Sequence, residues 1–209
     1  MQRQRETYPV NHSECSGMNV WLAGVGSYEM TGVEVMLAEQ FVRGVKVSTG
    51  TRFIPGDTLV LCLSSTIRIG WWRYLRLIQW LNNRYEINLI VLCPLQIFLM
   101  GIFCGENVVW LNGNAALASL SASLNFALKE KNRDTIRKNG NDINEFWHYA
   151  FMCLQEKPSD EIKMGLSTKV YHRRLSLLRR MNFNSMHALR IFMSGMKMRY
   201  YNHCPGCAL

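Results

Sequence analysis

The residues of this chain that could do chemistry are mostly cationic, and they gather towards its C-terminal end. Residues 143–209 contain 10 Lys and Arg against 4 Asp and Glu, whereas residues 1–128 contain 9 against 8. A local excess of positive charge attracts polyanions, which are nucleic acids or anionic membrane surfaces. The densest cluster comprises Lys169, His172, Arg173, Arg174, Arg179 and Arg180. This distribution of charge favours a polyanionic partner.

A turn precedes that cluster. Gly165 permits a tight backbone turn, and Ser167 is a good N-cap for a helix over residues 168–181. A capped helix with a basic outer face can lie in the DNA major groove, with its first turns at the base edges and its arginines on phosphates. The alternative is a solvated amphipathic helix without a DNA role. The expected DNA contacts are Ser167, Thr168, Lys169, His172, Arg173, Arg174, Arg179 and Arg180.

The whole C-terminal part has helical periodicity only, with candidate helices at 143–156, 159–164, 168–181 and 185–199. Residues 145–193 resemble the LuxR/NarL-type (FixJ-like) helix-turn-helix. The resemblance implies an all-α domain that binds double-stranded DNA and regulates transcription. Ile162 to Val170 is shorter than the family pattern, and Arg173 replaces the usual histidine. The matching positions are Glu145, Ile162, Met164–Ser167, Lys169, Val170, Arg180, Met181 and Leu189.

The N-terminal part alternates between strand and helix patterns, and its strands are uniformly apolar. Buried strands of this kind predict a parallel, doubly wound α/β domain. One helix stripe includes Val33, Leu37 and Phe41, and another includes Trp71, Leu75, Ile78 and Leu81. The predicted strands are 18–27, 45–48, 57–64, 86–93 and 108–111, and the predicted helices are 31–43, 70–83, 95–104 and 115–129.

This order of elements resembles a response-regulator receiver domain, which has a flavodoxin-like parallel sheet. Working receivers carry an acidic pair for Mg²⁺, an acceptor Asp, a hydroxyl and a Lys. The residues at those positions are Gly24, Val25, Cys62, Cys93 and Asn112. None of them has the side-chain group that its position requires. The resemblance therefore implies a degenerate receiver with no phosphorylation, no metal site, no cofactor and no catalytic residues.

The same architecture and length resemble the enterobacterial RcsA/BglJ-type auxiliary regulators, which pair with the response regulator RcsB. That resemblance implies a cytoplasmic protein whose partner is an RcsB-like response regulator or a second copy of itself. We expect a polar tail at 1–17, the receiver-like domain at 18–128, a charged linker at 129–142, the helix-turn-helix at 143–200 and a tail at 201–209.

The predicted helix at 95–104 is apolar nearly all round, although a helix on a sheet needs only one apolar stripe. Phe98, Ile102 and Phe103 are therefore candidates for the partner interface. The alternative is an unusually well buried core helix.

Two further hypotheses stay open. The chain could sequester another regulator without touching DNA, or residues 87–104 could associate with a membrane, although Pro94, Gln96 and Gly101 interrupt them. The seven cysteines are odd in number and indicate a reducing compartment. Cys204 and Cys207 have no second cysteine pair at a zinc-binding spacing, and a disordered tail explains them better.

Overall fold

The chain folds around a five-stranded sheet. In this computed structural model, the structure describes residues 19–103, 107–129, 141–143, 147, 150 and 167–195. The strands are β1 Val20–Gly24, β2 Gly44–Lys46, β3 Thr58–Cys62, β4 Asn88–Cys93, β5 Ile102–Phe103, β6 Val108–Asn112 and β7 Asn141–Asp142. The main sheet is entirely parallel, in the order β2-β1-β3-β4-β6. This is the order of flavodoxin-like sheets, so the parallel α/β prediction is confirmed for the N-terminal part.

The helices lie on both faces of that sheet. They are α1 Ser27–Ala38, α2 Trp72–Arg84, α3 Leu95–Phe98, α4 Leu117–Lys129, α5 Ser167–Arg180 and α6 Met186–Phe192. Every residue of β3 is buried, as is every residue of β4 except Asn88. Strands covered on both faces need apolar residues at successive positions, which explains the uniform composition of β3 and β4.

One face of the sheet is covered by α1 and α4. Side chains from alternate strand positions, such as Val60 and Ile90, pack in one cluster with Leu37 of α1 and Leu124 of α4. Helix α1 buries Val33, Met36 and Leu37 on this face, and α4 buries Leu120, Leu124 and Ala127.

The opposite face is covered by α2 together with the C-terminal helices. Trp71, Leu75 and Ile78 are fully buried there, which confirms most of the predicted stripe. The same cluster contains C-terminal residues, namely Ile143, Trp147, Ala150, Leu178, Met181, Leu189, Phe192 and Met193. The C-terminal helices therefore share a core with the sheet.

A buried carboxylate fastens the start of β3 to β1. Asp57 is 1% exposed, and its Oδ2 accepts from the Trp21 indole at 2.7 Å and from the Ile54 amide at 3.1 Å. Its Oδ1 accepts from the backbone and side-chain nitrogens of Asn19. Four donors satisfy the carboxylate, as a buried charge requires.

Two predicted helices differ from the structure. The helix expected over 31–43 ends at Ala38, and Phe41 is fully exposed in the left-handed region with a φ of 58°. Placing Phe41 in the buried stripe was therefore wrong. The chain turns out of the helix because Phe41 and Val42 donate to the carbonyls of Ala38 and Leu37 instead of continuing the helical ladder.

The helix expected over 95–104 is also wrong in its extent. Helix α3 has only four residues, and Gly101 follows it with a φ of 58°, a conformation that glycine adopts most easily. Strand β5 then pairs in parallel with β7, with Ile102 opposite Asn141. A non-local strand partner overrides the local helical pattern.

The described part of the chain contains no helix that is both long enough and apolar enough to cross a membrane. Residues 87–104, the segment considered for that role, include β4, α3 and β5. The tails at 1–17 and 201–209, and residues 130–140 of the expected linker, lie outside the described residues.

Candidate functional site

Helix α5 carries the residues expected to contact DNA. Its 14 residues end in a tight turn at Asn182, whose φ is 54°, where the Phe183 amide donates to the Leu178 carbonyl at 2.8 Å. Ser185 then caps α6, because its hydroxyl accepts from the Ala188 amide at 3.1 Å. The turn and the cap set the direction in which α6 leaves α5.

The described side chains of α5 divide between a packed face and a solvent face. Leu178 is buried in the core shared with the sheet. His172, Ser176 and Arg179 are exposed, and their spacing of four and three residues places them along one face of the helix. Tyr171 is exposed as well, and its ring lies 5.8 Å from that of His172. The described part of this outward face is therefore polar, and Arg179 gives it a positive charge.

The other predicted DNA-contacting residues are only partly described. Arg174 is half-buried. The side chains of five of the eight predicted residues lie outside the described part of the structure, namely those of Ser167, Thr168, Lys169, Arg173 and Arg180. The structure brings all eight predicted residues onto one helix.

The C-terminal helices are held on α2 by two tryptophans and a glycine. The Trp72 indole donates to the Ser194 carbonyl at 2.8 Å, and the Gly70 amide donates to the Ile191 carbonyl at 3.1 Å. The rings of Trp71 and Phe192 stack with their centroids 6.4 Å apart. Gly70 has a φ of 65°, a backbone conformation that side chains disfavour.

The receiver-like positions meet at the carboxyl edge of the sheet. Gly24 lies opposite Cys62 in the register of β1 and β3, and Cys93 lies opposite Asn112 in the register of β4 and β6. Val25 follows at the end of β1 and donates its amide to the Cys62 carbonyl. Four of the five positions therefore lie at the carboxyl ends of the strands β1, β3, β4 and β6, and Val25 directly follows β1.

The two cysteines at this edge are free, buried thiols. Burial, with a smaller contribution from the negative charge of Glu29, raises the pKa of Cys62 to about 12. Burial alone raises the pKa of Cys93 to about 12. Both therefore stay protonated at neutral pH, and neither is a nucleophile there. Within the described residues, no group of three or more His, Cys, Asp or Glu side chains could hold a metal ion.

Sequence reasoning missed Glu29, the anionic group at this edge. Its Oε1 accepts from the amide and the hydroxyl of Ser64, with the amide at 2.9 Å. Its Oε2 accepts from the amide of Ser65 at 3.2 Å and from the Ser65 hydroxyl at 3.0 Å. The sequence signal for Glu29 was an acidic residue in the first turn of a helix that follows a Gly-rich turn. Each of these features is common by itself, so neither marks the position.

The candidate partner residues lie on α3 and on β5, which follows it in the chain. Phe98 is 40% exposed, and its neighbours Leu95 and Leu99 are exposed too. Ile102 and Phe103 form β5, but their side chains lie outside the described residues. A cavity of about 270 Å³ separates this segment from the turn between α5 and α6, with Gln96, Met100, Asn182, Phe183 and Ala188 among its lining residues.

Comparisons of this chain with protein-family models, with curated proteins and with solved structures found no match.

Proposed function

We propose that this protein is a non-enzymatic, DNA-binding transcription regulator that acts as a dimer with a response regulator of the RcsB type or with a second copy of itself. The observation that carries the proposal is the solvent face of α5. That face presents His172, Ser176 and Arg179, while Leu178 anchors the helix in the core. A helix that is packed on one side and presents polar and cationic side chains on the other can reach the phosphates and base edges of a DNA groove.

The charge distribution supports this proposal. Residues 143–209 carry 10 Lys and Arg against 4 Asp and Glu, so the region containing α5 is the most positive part of the chain. Counterion release from DNA makes such binding strongly dependent on salt concentration. An interaction of that kind has a signature that a merely solvated helix lacks.

The test is fluorescence anisotropy with a short labelled duplex of mixed sequence, over a series of salt concentrations. Arg179→Ala should weaken binding and lower the slope of log affinity against log salt by about 1, since one phosphate contact is lost. The triple substitution of Lys169, Arg173 and Arg174 with Ala should lower both further. Arg52→Ala removes an exposed charge from the β2–β3 loop and is the matched control. Wild-type affinity in the triple variant would refute the DNA assignment.

We also propose that the regulator works without phosphorylation. The expected acceptor position is the protonated thiol of Cys62, and Glu29 already occupies the donors of Ser64 and Ser65. Beryllofluoride with Mg²⁺ should leave the thermal midpoint unchanged, because a ligand stabilises only the folded state that it binds. A Mg²⁺-dependent rise in the midpoint would contradict the proposal.

A partner protein is the second part of the proposal, and the exposed apolar residues of α3 favour it. Leu95, Phe98 and Leu99 form a short exposed apolar segment of the kind that protein interfaces cover. Pull-down of the tagged protein from its host, with and without DNase, distinguishes a protein that binds this chain directly from one that is retained through DNA. A response regulator retained after DNase treatment supports direct pairing. If this protein retains that partner but does not bind DNA in the anisotropy assay, it sequesters the partner instead.

A further inference from the structure

The loop between β3 and α2 contains an anion site that the chain fills by itself. Both oxygens of the Glu29 carboxylate are used, and each accepts from one amide and one hydroxyl of Ser64 and Ser65. Two successive backbone amides aimed at one carboxylate, with two hydroxyls beside them, are the donor arrangement that binds phosphate or carboxylate groups in proteins. The four bonds span 35 and 36 positions of sequence, so they hold α1 and this loop together.

The same loop also contacts Trp71, the residue on which α6 packs. The Thr66 amide donates to the Leu63 carbonyl, and the Thr66 hydroxyl accepts from the Trp71 indole at 2.8 Å. Trp71 in turn stacks on Phe192 of α6. One short loop therefore connects the two places. Its Ser64 and Ser65 bond to the Glu29 carboxylate, and its Thr66 bonds to Trp71, on which Phe192 of α6 packs.

We propose that Glu29 is a positioning residue, which acts as a permanent internal anion that holds the β3–α2 loop in the conformation on which α6 docks. The loop has the donors of an anion site, and a covalently attached carboxylate occupies them without any ligand being added. Positioning proceeds from Glu29 to Ser64 and Ser65, then through Thr66 to Trp71 and Phe192. This inference concerns the docking of α6 and does not require DNA binding, so it can fail independently of the proposed function.

Chemical rescue tests this proposal. Glu29→Ala should empty the site and increase hydrogen exchange of the Gly70 amide, which donates to Ile191, by about tenfold, since charge-assisted bonds that order the loop are lost. Sodium formate should restore the protection and raise the thermal midpoint of this variant, whereas sodium chloride at equal ionic strength should not. Wild-type protein should respond to neither salt, because its site is filled.

Two further variants keep the test decisive. Glu29→Gln preserves the shape but replaces one acceptor oxygen with an NH₂ group, so it should lose protection at Gly70 without being rescued by formate. If Glu29→Ala does not fold, Glu29→Gln carries the test alone. Glu34→Ala is the matched control, because it removes the same charge from the same helix, where Glu34 only pairs with Lys46 at 3.4 Å on the surface. Wild-type exchange at Gly70 in Glu29→Gln, or equal responses of Glu29→Ala to formate and chloride, would overturn the proposal.

Discussion

The indole nitrogen of Trp72 donates a hydrogen bond of 2.8 Å to the backbone carbonyl of Ser194, across 122 positions of sequence. Trp72 begins α2, on the sheet, and Ser194 follows the end of α6. The bond closes a contact in which Trp71 stacks on Phe192 and the Gly70 amide donates to Ile191. These contacts, together with the burial of Leu178, hold α5 and α6 against the core of the sheet.

Removing the donor of that bond should loosen the C-terminal helices. Trp72→Phe keeps one aromatic ring in the core, but it removes the indole N–H and part of the buried volume, so it should cost at least about 1 kcal/mol of unfolding free energy. Urea denaturation measures the loss, and hydrogen exchange should localise it to residues 191–194. Trp80→Phe is the control, because Trp80 is 51% exposed. Equal effects of the two substitutions would show that the bond to Ser194 contributes nothing.

The buried carboxylate of Asp57 should be among the most sensitive positions of the sheet. Asp57→Ala leaves the Trp21 indole and the Ile54 amide without their acceptor, so we expect a loss of about 2–4 kcal/mol. Chemical denaturation measures this loss. Glu34→Ala removes an exposed carboxylate and should stay within about 0.5 kcal/mol of wild type. A loss at Asp57 no larger than that of Glu34 would show that these bonds do not stabilise the native state.

The thiols of Cys62 and Cys93 should be inert in the folded protein. With pKa values of about 12, the thiolate fraction at pH 8 is about 10⁻⁴, so iodoacetamide should label them only after unfolding. Peptide mass spectrometry with and without urea tests this. Fast native labelling of either thiol at pH 8 would contradict its burial.

The same shift gives a pH dependence of stability. The folded pKa values exceed the ordinary value of 9.0, so this contribution is intact below pH 9 and is lost as the pH rises towards about 12. Replacing Cys62 with Ala should therefore make the decline in unfolding free energy above pH 9 less steep. If the decline in unfolding free energy above pH 9 is equally steep in Cys62→Ala and in wild type, the Cys62 thiol does not contribute to it.

The exposed face of α3 should be where a partner protein binds. Phe98→Asp should leave a folded, soluble chain that no longer retains its partner in a pull-down, because a charge placed in an apolar interface is costly. Leu117→Asp is the control, since Leu117 is 71% exposed on α4, which covers the opposite face of the sheet. Unfolding of Phe98→Asp would assign Phe98 to the core, and loss of the partner in Leu117→Asp alone would move the interface to α4.

Local patterns in the sequence determined the elements of the sheet. The apolar runs of β3 and β4 and the stripe through Trp71, Leu75 and Ile78 predict strands and a helix that the structure contains. Residues buried on both faces of a strand, or along one face of a helix, must be apolar at fixed spacings. Such spacings can be read without knowing which distant residues they meet.

Tertiary structure alone decided the features that depend on distant partners. The four-residue length of α3 reflects the pairing of Ile102 with Asn141. The bonds of Glu29, and those of Asp57 to Asn19 and Trp21, join residues more than 30 positions apart. The docking of α6 on α2 depends on Trp72 meeting Ser194. None of these residues has a local spacing that marks it, because the free energy of such contacts depends on three-dimensional proximity, which the folded chain creates.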